Sequence, residues 1–258
     1  MLLPPSEGKT PPRSRGPQLD LGSLSSPGLT PLREKVLDAL ALASAAPDAL
    51  TVLGVGPSLA DEVARNVALR AAPTAPAKKV YTGVLYGAAG LDRLTPTGRA
   101  RAAESVRIVS GLWGLVAPDD LIPAYRLSMG TDLPGIGPLA GAWRSSLGVE
   151  LQERAEGELV VDCRSATYLA AWHPPTNADW VAVRVLREEP DGSRSVVSHS
   201  AKHTRGVLTR HLLTRRGKAP HDARSLARVA SELVGTDLLA VELAPAGRGA
   251  RTLSLVVA

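Results

Sequence analysis

The densest run of chemically capable side chains comes at the start of the chain, Ser6-Glu7-Gly8-Lys9-Thr10. It ends in the Gly-Lys-Thr of a phosphate-binding loop. Such a loop wraps phosphate oxygens in backbone amides only when another glycine stands five residues before the first of these. Leu3 stands there, so the match fails. Ser6, Lys9 and Thr10 still place a cation and two hydroxyls after an apolar strand, a set that can hold an anion; a solvated turn is the plainer reading. A second signal is Leu53-Gly54-Val55-Gly56-Pro57-Ser58-Leu59-Ala60, which has the form of a helix-hairpin-helix turn. Gly54 and Gly56 permit a tight turn. The helix opening at Ser58 then offers free N–H groups to a DNA phosphate, with Arg65 and Arg70 able to extend the contact. Such hairpins grip the backbone and read little sequence. The alternative is a plain pair of helices joined by a glycine turn. A similar run, residues 133–138, reads as a Gly/Pro loop because no amphipathic helix precedes it.

Charge is the third signal. Between His199 and Arg228 eight basic residues face one acid, Asp222, a local +7 in a chain of net charge +5. The charge therefore belongs to one surface. Ala201, Thr204, Leu208 and Leu212 form a helical seam, and Lys202, Arg205 and Thr209 share the neighbouring face. Arg210 adds a further cation. His199 and His203 have the spacing of a helical metal pair, but no HExxH glutamate and no third ligand accompanies them, so no metal site is expected. Asp162-Cys163-Arg164-Ser165 follows the clearest strand and opens a helix, a common ligand position in α/β sheets. Arg164, Ser165 and Tyr168 are its candidates, and Cys163 reads as core. Ser165 lies outside any Gly-x-Ser-x-Gly elbow, which leaves a hydrolase triad unsupported. Ser6, Lys9, Tyr81, Arg126, Ser165, Tyr168, Lys202 and Arg205 together make a candidate pocket set. In it Lys9 or Lys202 would act as base or anion clamp and Tyr81 or Tyr168 as proton donor.

These residues need a scaffold, and the composition can build one. Of 258 residues 44% are hydrophobic and 21% charged, the balance of a globular domain. Phe is absent, so Leu, Val and Ala must fill the core. One cysteine excludes disulfides within the chain and fits a reducing compartment. The opening Met1-Leu2-Leu3-Pro4-Pro5 is not a signal peptide, and no apolar run is long enough to span a membrane, so a cytoplasmic protein without a membrane partner is expected. Residues 1–3 read as a buried strand and 11–31 as a surface excursion. Helices are expected from Thr30, as N-cap with Pro31 following, over 58–69, over 165–172 and over 201–213. Residues 97–109 read as helix running into strand, and 80–90 as ambiguous. Strands are expected over 159–163, in a hairpin of 180–188 with 193–198, and in a closing pair of 238–243 with 252–257. Without a regular βαβ rhythm the class is α/β or α+β, with a mixed sheet.

Taken together, several blocks resemble one family. Met1 to Thr10 looks like the amino-terminal strand and loop of the YaaA family of peroxide stress proteins. Tyr81-Thr82-Gly83 with Tyr86 is similar to its Tyr-Thr-Gly element. Ser110-Gly111-Leu112-Trp113-Gly114 through Leu121, with Pro123-Ala124-Tyr125-Arg126-Leu127-Ser128-Met129-Gly130, resembles its longest motif. Ser165-Ala166-Thr167-Tyr168 and Ser200 to Gly206 match two more blocks. The resemblance implies one domain over residues 1–258: a mixed sheet surrounded by helices, a basic cleft, and a helix-hairpin-helix element near residues 40–70. It implies a role against hydrogen peroxide through lower free iron and less oxidative DNA damage, with duplex or distorted DNA as partner and no cofactor. Under it Gly54, Gly56, Ser58, Arg65, Lys202, Arg205 and Arg210 are the candidate DNA contacts. The rival reading is an enzyme on a nucleotide, nucleoside or other small anionic metabolite. Two departures mark a subgroup of actinobacterial type: the first loop reads Pro-Pro-Ser-Glu-Gly-Lys-Thr rather than the shorter Ser-Pro-Ala-Lys-Thr, and the C-terminal region is short and Arg-rich.

Overall fold

The computed structural model describes residues 1–13, 16–197, 199–247 and 249–258; of His199 it describes the backbone alone. An eight-stranded mixed sheet forms the centre. Across it run, in order, Ala240–Leu243, Arg251–Val257, Asp179–Glu188, Leu159–Asp162, Leu2–Leu3, Arg107–Ser110 and Gly114–Val116, with Arg194–Val196 paired to Asp179–Glu188. The strands from Arg251–Val257 to Arg107–Ser110 are mutually parallel. The others pair antiparallel. Helices cover the sheet, as expected for α/β architecture, because parallel strands buried on both faces need cover on both.

Leu2–Leu3 is only two residues long, yet it sits between two parallel neighbours and both side chains are buried. Pro4 and Pro5 then stop the ladder, since proline has no N–H to donate. The chain thus leaves the centre of the sheet at a carboxyl end, directly into the Ser6–Thr10 loop. The next strand of this sheet in sequence, Arg107–Ser110, pairs on one side of Leu2–Leu3, and Leu159–Asp162 pairs on the other. This reversal is where open α/β sheets leave a crevice outside the strand ends.

Several sequence expectations change in detail. Helix Thr30–Ala45 does not use Thr30 as its cap: the turn Pro27–Leu29 runs straight into it, and the Thr30 amide donates to Pro27 O. Its Arg33 is wholly buried and donates to the carbonyls of Ser25, Trp113 and Leu115, tying the 16–29 excursion to the sheet. The helix expected over 165–172 is only Ala166–Leu169, because the buried Arg164 guanidinium takes the carbonyls of Tyr168 and Trp172. The ambiguous stretch 80–90 holds the last residue of helix Ala77–Val80, an extended link at 81–83, and helix Val84–Ala89. The 193–198 strand is Arg194–Val196, and Ser198 lies outside the described residues. Residues 133–138 form a small ribbon, Asp132–Leu133 with Gly137–Pro138. Among the described residues no helix is long and apolar enough to cross a membrane.

Candidate functional site

The loop after the first strand is held against the Tyr81–Gly83 segment. Ser6 Oγ accepts from the Gly83 amide at 2.7 Å, the Thr10 amide donates to Val80 O at 2.9 Å, and Tyr86 Oη donates to Pro4 O at 2.8 Å. Lys9 and Tyr81 form an antiparallel bridge. This clamp puts the Lys9 side chain inside the protein, only 9% exposed. Its ammonium lies 4.3 Å from the centre of the Tyr125 ring and 5.8 Å from that of Tyr81. Among the described residues its one hydrogen bond is a long one, 3.5 Å to Glu7 O. An ammonium has three donors, so most of its hydration is unreplaced. Burial, with the nearby Arg126 charge adding to it, pulls the amine down to about 7.

Arg126 completes this corner. Its guanidinium donates to Glu7 O at 3.2 Å, so the Lys9 and Arg126 cations share one acceptor. It also lies 3.4 Å from the Glu7 carboxylate and 3.6 Å from that of Glu62. Its backbone is fixed by Asn66: the Arg126 amide donates to Asn66 Oδ1 at 2.9 Å, and Asn66 Nδ2 donates to Arg126 O at 2.8 Å. Asn66 Nδ2 also reaches Ser44 Oγ at 3.1 Å. Below Lys9 a chain of hydroxyls runs from Tyr81 Oη to Tyr125 Oη at 2.9 Å and on to Ser110 Oγ at 2.6 Å. Ser110 Oγ accepts the amides of Leu112 and Trp113. Burial pushes the phenols of Tyr81, Tyr86 and Tyr125 well above the ordinary range, and Tyr168 up to about 12. The Glu7 and Arg126 charges both act on the Tyr168 phenol, after burial and a hydrogen bond to the Met129 backbone.

Of the candidates, Lys9, Tyr81, Arg126 and Tyr168 come together, with Ser6 as the peg that holds the loop. Ser165 is exposed at the start of Ala166–Leu169, and its side chain caps nothing. Helix His199–Thr214 buries the expected seam, Ala201, Thr204, Leu208 and Leu212. Its cations diverge. Lys202 is exposed, whereas Arg205 turns onto the sheet and donates twice to Val183 O, at 3.1 and 2.8 Å. Thr209 is buried and donates to Arg205 O instead of sharing a face with Lys202. The Arg210 guanidinium lies over Gly90. Arg215 and His211 both bond Glu232, which consumes part of the basic cluster. The His199 side chain, half of the tempting metal pair, lies outside the described residues; no group of three or more His, Cys, Asp or Glu able to hold a metal occurs among those described. Cys163 is buried core, and burial pushes its thiol up to about 12. A separate groove of about 510 Å³, lined by Arg107 and Arg154 among others, sits at the amino ends of the parallel strands, away from Lys9.

The Leu53–Ala60 turn joins helix Ala49–Val52 to a helical run formed by Pro57–Leu59, Ala60–Arg65 and Asn66–Ala68. The Val55 amide closes it onto Leu50 O at 2.9 Å, and Gly54 has φ of +63°. Gly54, Gly56, Ser58 and Arg65 are all exposed. Arg70 is paired to Asp38. Glu62 and Asn66, which with Glu7 hold Arg126, sit on this same helical run. Sequence reasoning missed Asn66, Glu62, Ser110 and Tyr125. For Asn66 the readable signal was an amide among the apolar positions Val63 and Leu69.

Comparison with known proteins agrees with this arrangement of blocks. A family model described as Peroxide stress protein YaaA matches residues 1–230. A UPF0246 protein of Streptomyces coelicolor is 44% identical over 252 residues, covering 96% of this chain and 95% of the relative. One from Corynebacterium efficiens is 42% identical over 259 residues, covering 100% of this chain and 99% of the relative. The chain belongs to the YaaA family of peroxide stress proteins.

Proposed function

We propose that the protein serves the peroxide response by binding DNA and that it thereby limits oxidative DNA damage, alongside the lowering of free iron that the family resemblance implies. The turn amides at Gly56 and Ser58, with Arg65, take backbone phosphates, and the Lys9–Arg126 corner takes a nucleotide displaced from the stack. The observation that carries this reading is the helical run 57–68. One end presents the glycine turn, while Glu62 and Asn66 on the same run hold Arg126. A duplex gripped at the turn therefore has its distorted part presented to the corner. Lys202 and Arg210, exposed on helix His199–Thr214, are the further cations of this reading.

Anisotropy of a labelled duplex against salt tests it, since displacement of counterions makes log K fall linearly with log salt. Gly56→Asp is the informative change. The backbone at Gly56 has φ of −79° and a Cβ there meets nothing within 4 Å, so the fold tolerates it. A carboxylate against phosphate is expected to weaken binding by about tenfold, roughly 1.4 kcal/mol. Wild-type affinity in both Gly56→Asp and Arg65→Glu variants overturns the reading. The buried amine of Lys9, half uncharged near pH 7, favours a second reading, an enzyme acting on a nucleotide, nucleoside or other small anionic metabolite. A thermal-shift series with mononucleotides distinguishes the two, because a site ligand raises apparent stability by mass action.

A further inference from the structure

We propose that Lys9 is an imine-forming nucleophile and that its substrate is the open-chain aldehyde of an abasic deoxyribose in DNA, which the protein cleaves by β-elimination. The inference rests on the DNA-binding reading above and names the substrate of that same site.

Lys9 is poorly suited to be a simple phosphate clamp. It is nine-tenths buried, lies against two phenol rings, and among the described residues has one long hydrogen bond where three are possible. Arg126 beside it, its side chain 16% exposed, already supplies the charge and the planar donors that suit a phosphate. Desolvation beside a second cation is the way proteins keep a lysine amine uncharged and nucleophilic. The lowered proton affinity of Lys9 agrees with that environment. Two carboxylates, Glu7 and Glu62, stand within ion-pair reach of Arg126, and both charges act on Lys9, that of Glu62 the more strongly. An amine, a guanidinium and a carboxylate thus converge beside an exposed turn suited to phosphates. The titratable and charged groups facing Lys9 are Arg126, Glu7, Glu62, Tyr81 and Tyr125.

The steps balance without an external oxidant or reductant. The neutral Lys9 amine adds to C1′ of the sugar aldehyde, and the carbinolamine takes up a proton from solvent and loses water to leave a protonated imine. The Glu62 carboxylate removes a proton from C2′. The electron pair forms the C2′–C3′ double bond and expels the 3′ phosphate, whose developing charge Arg126 meets. Water then hydrolyses the imine, releasing the unsaturated aldehyde on the 5′ fragment and restoring the neutral amine, while the iminium proton and the proton held by Glu62 return to solvent. Oxidative base loss leaves such aldehydes in DNA, which accords with the family to which the chain belongs.

The test uses the full chain and two duplexes, one carrying an abasic site and one carrying its tetrahydrofuran analogue, which has no aldehyde. Incubation of the abasic duplex with cyanoborohydride should reduce the imine and give a covalent complex whose peptide map places the sugar on Lys9. Lys9→Arg and Lys9→Met should abolish trapping while the tetrahydrofuran duplex still binds. Glu62→Gln should keep trapping and lose most of the strand nicking, a split that a merely structural role would not produce. Binding of the analogue without any trapping, or an adduct on Lys202, another lysine or the Met1 amine, overturns the inference and leaves DNA binding standing. Failure of wild-type protein to bind either duplex overturns both.

Discussion

Replacing Lys9 by methionine should make the protein more stable. In the fold the amine is pulled from its ordinary 10.5 to about 7, chiefly by desolvation. Every tenfold loss of proton affinity is about 1.4 kcal/mol, so keeping this proton out of the folded state costs about 4 kcal/mol at pH 7. Lys9→Met removes this cost and should gain up to about 4 kcal/mol at pH 7, read as a higher urea midpoint and a melting temperature raised by up to about 10 °C. The pH dependence isolates the cause. Because the folded value lies below the unfolded one, the unfolded chain holds more protons between about pH 7 and 10.5, and wild-type stability rises with pH there. The Met1 amine, lowered to about 6, adds a slope of the same sign between pH 6 and 8, but it does so in both proteins and cancels in their difference. Above about pH 9 the buried Cys163 thiol and the tyrosines act in the other direction. Between pH 7 and 9 the advantage of Lys9→Met should therefore shrink by about 2 kcal/mol. A destabilised variant, or one whose advantage is the same at both pH values, refutes the account of Lys9 as a strained, half-neutral amine.

Three further substitutions probe the supports. Asn66→Ala leaves the Arg126 amide and carbonyl without partners and should cost about 3 kcal/mol in urea unfolding, together with weaker DNA binding; a cost below about 1 kcal/mol would show that Asn66 does not anchor the corner. Arg164→Leu strands the buried Asp162 carboxylate and should cost about 3–5 kcal/mol, partly restored by the paired change Asp162→Asn, which calorimetry can measure. At Gly206 a Cβ would stand 2.7 Å from that of Ala88, with Leu85 O closer still, so Gly206→Ala should cost about 1–3 kcal/mol by forcing helix His199–Thr214 off Val84–Ala89.

The sequence disclosed the architecture better than the site. The strands at 2–3 and 159–162 showed as short apolar runs ended by Pro or Asp, and those at 179–188 and 251–257 showed through the turn residues at 190–192 and 245–249. The longest helix, Leu139–Ala155, escaped notice, although Leu139, Trp143, Leu147, Leu151 and Ala155 repeat every four residues and are all buried. Its two glycines and many polar positions hid a narrow apolar stripe. At the site, residue types pointed to Lys9, Tyr81, Arg126 and Tyr168. Pattern could not tell that Arg205 would be spent on a carbonyl of the sheet, or that Asn66 would reach across from the helical run to Arg126. Such roles depend on contacts between segments 20 to 60 residues apart, which local periodicity does not encode.

The chain has four tyrosines and no phenylalanine, and all four phenols, Tyr81, Tyr86, Tyr125 and Tyr168, gather around the corner that holds Lys9. The tyrosine spectrum of this protein is therefore a report from one place. Because every one of these phenols is pushed above its free value, an alkaline titration should show the phenolate band rising in a single step as the fold opens, without the gradual ionisation of surface tyrosines. A molecule entering the corner alters the surroundings of most of the tyrosine chromophore at once.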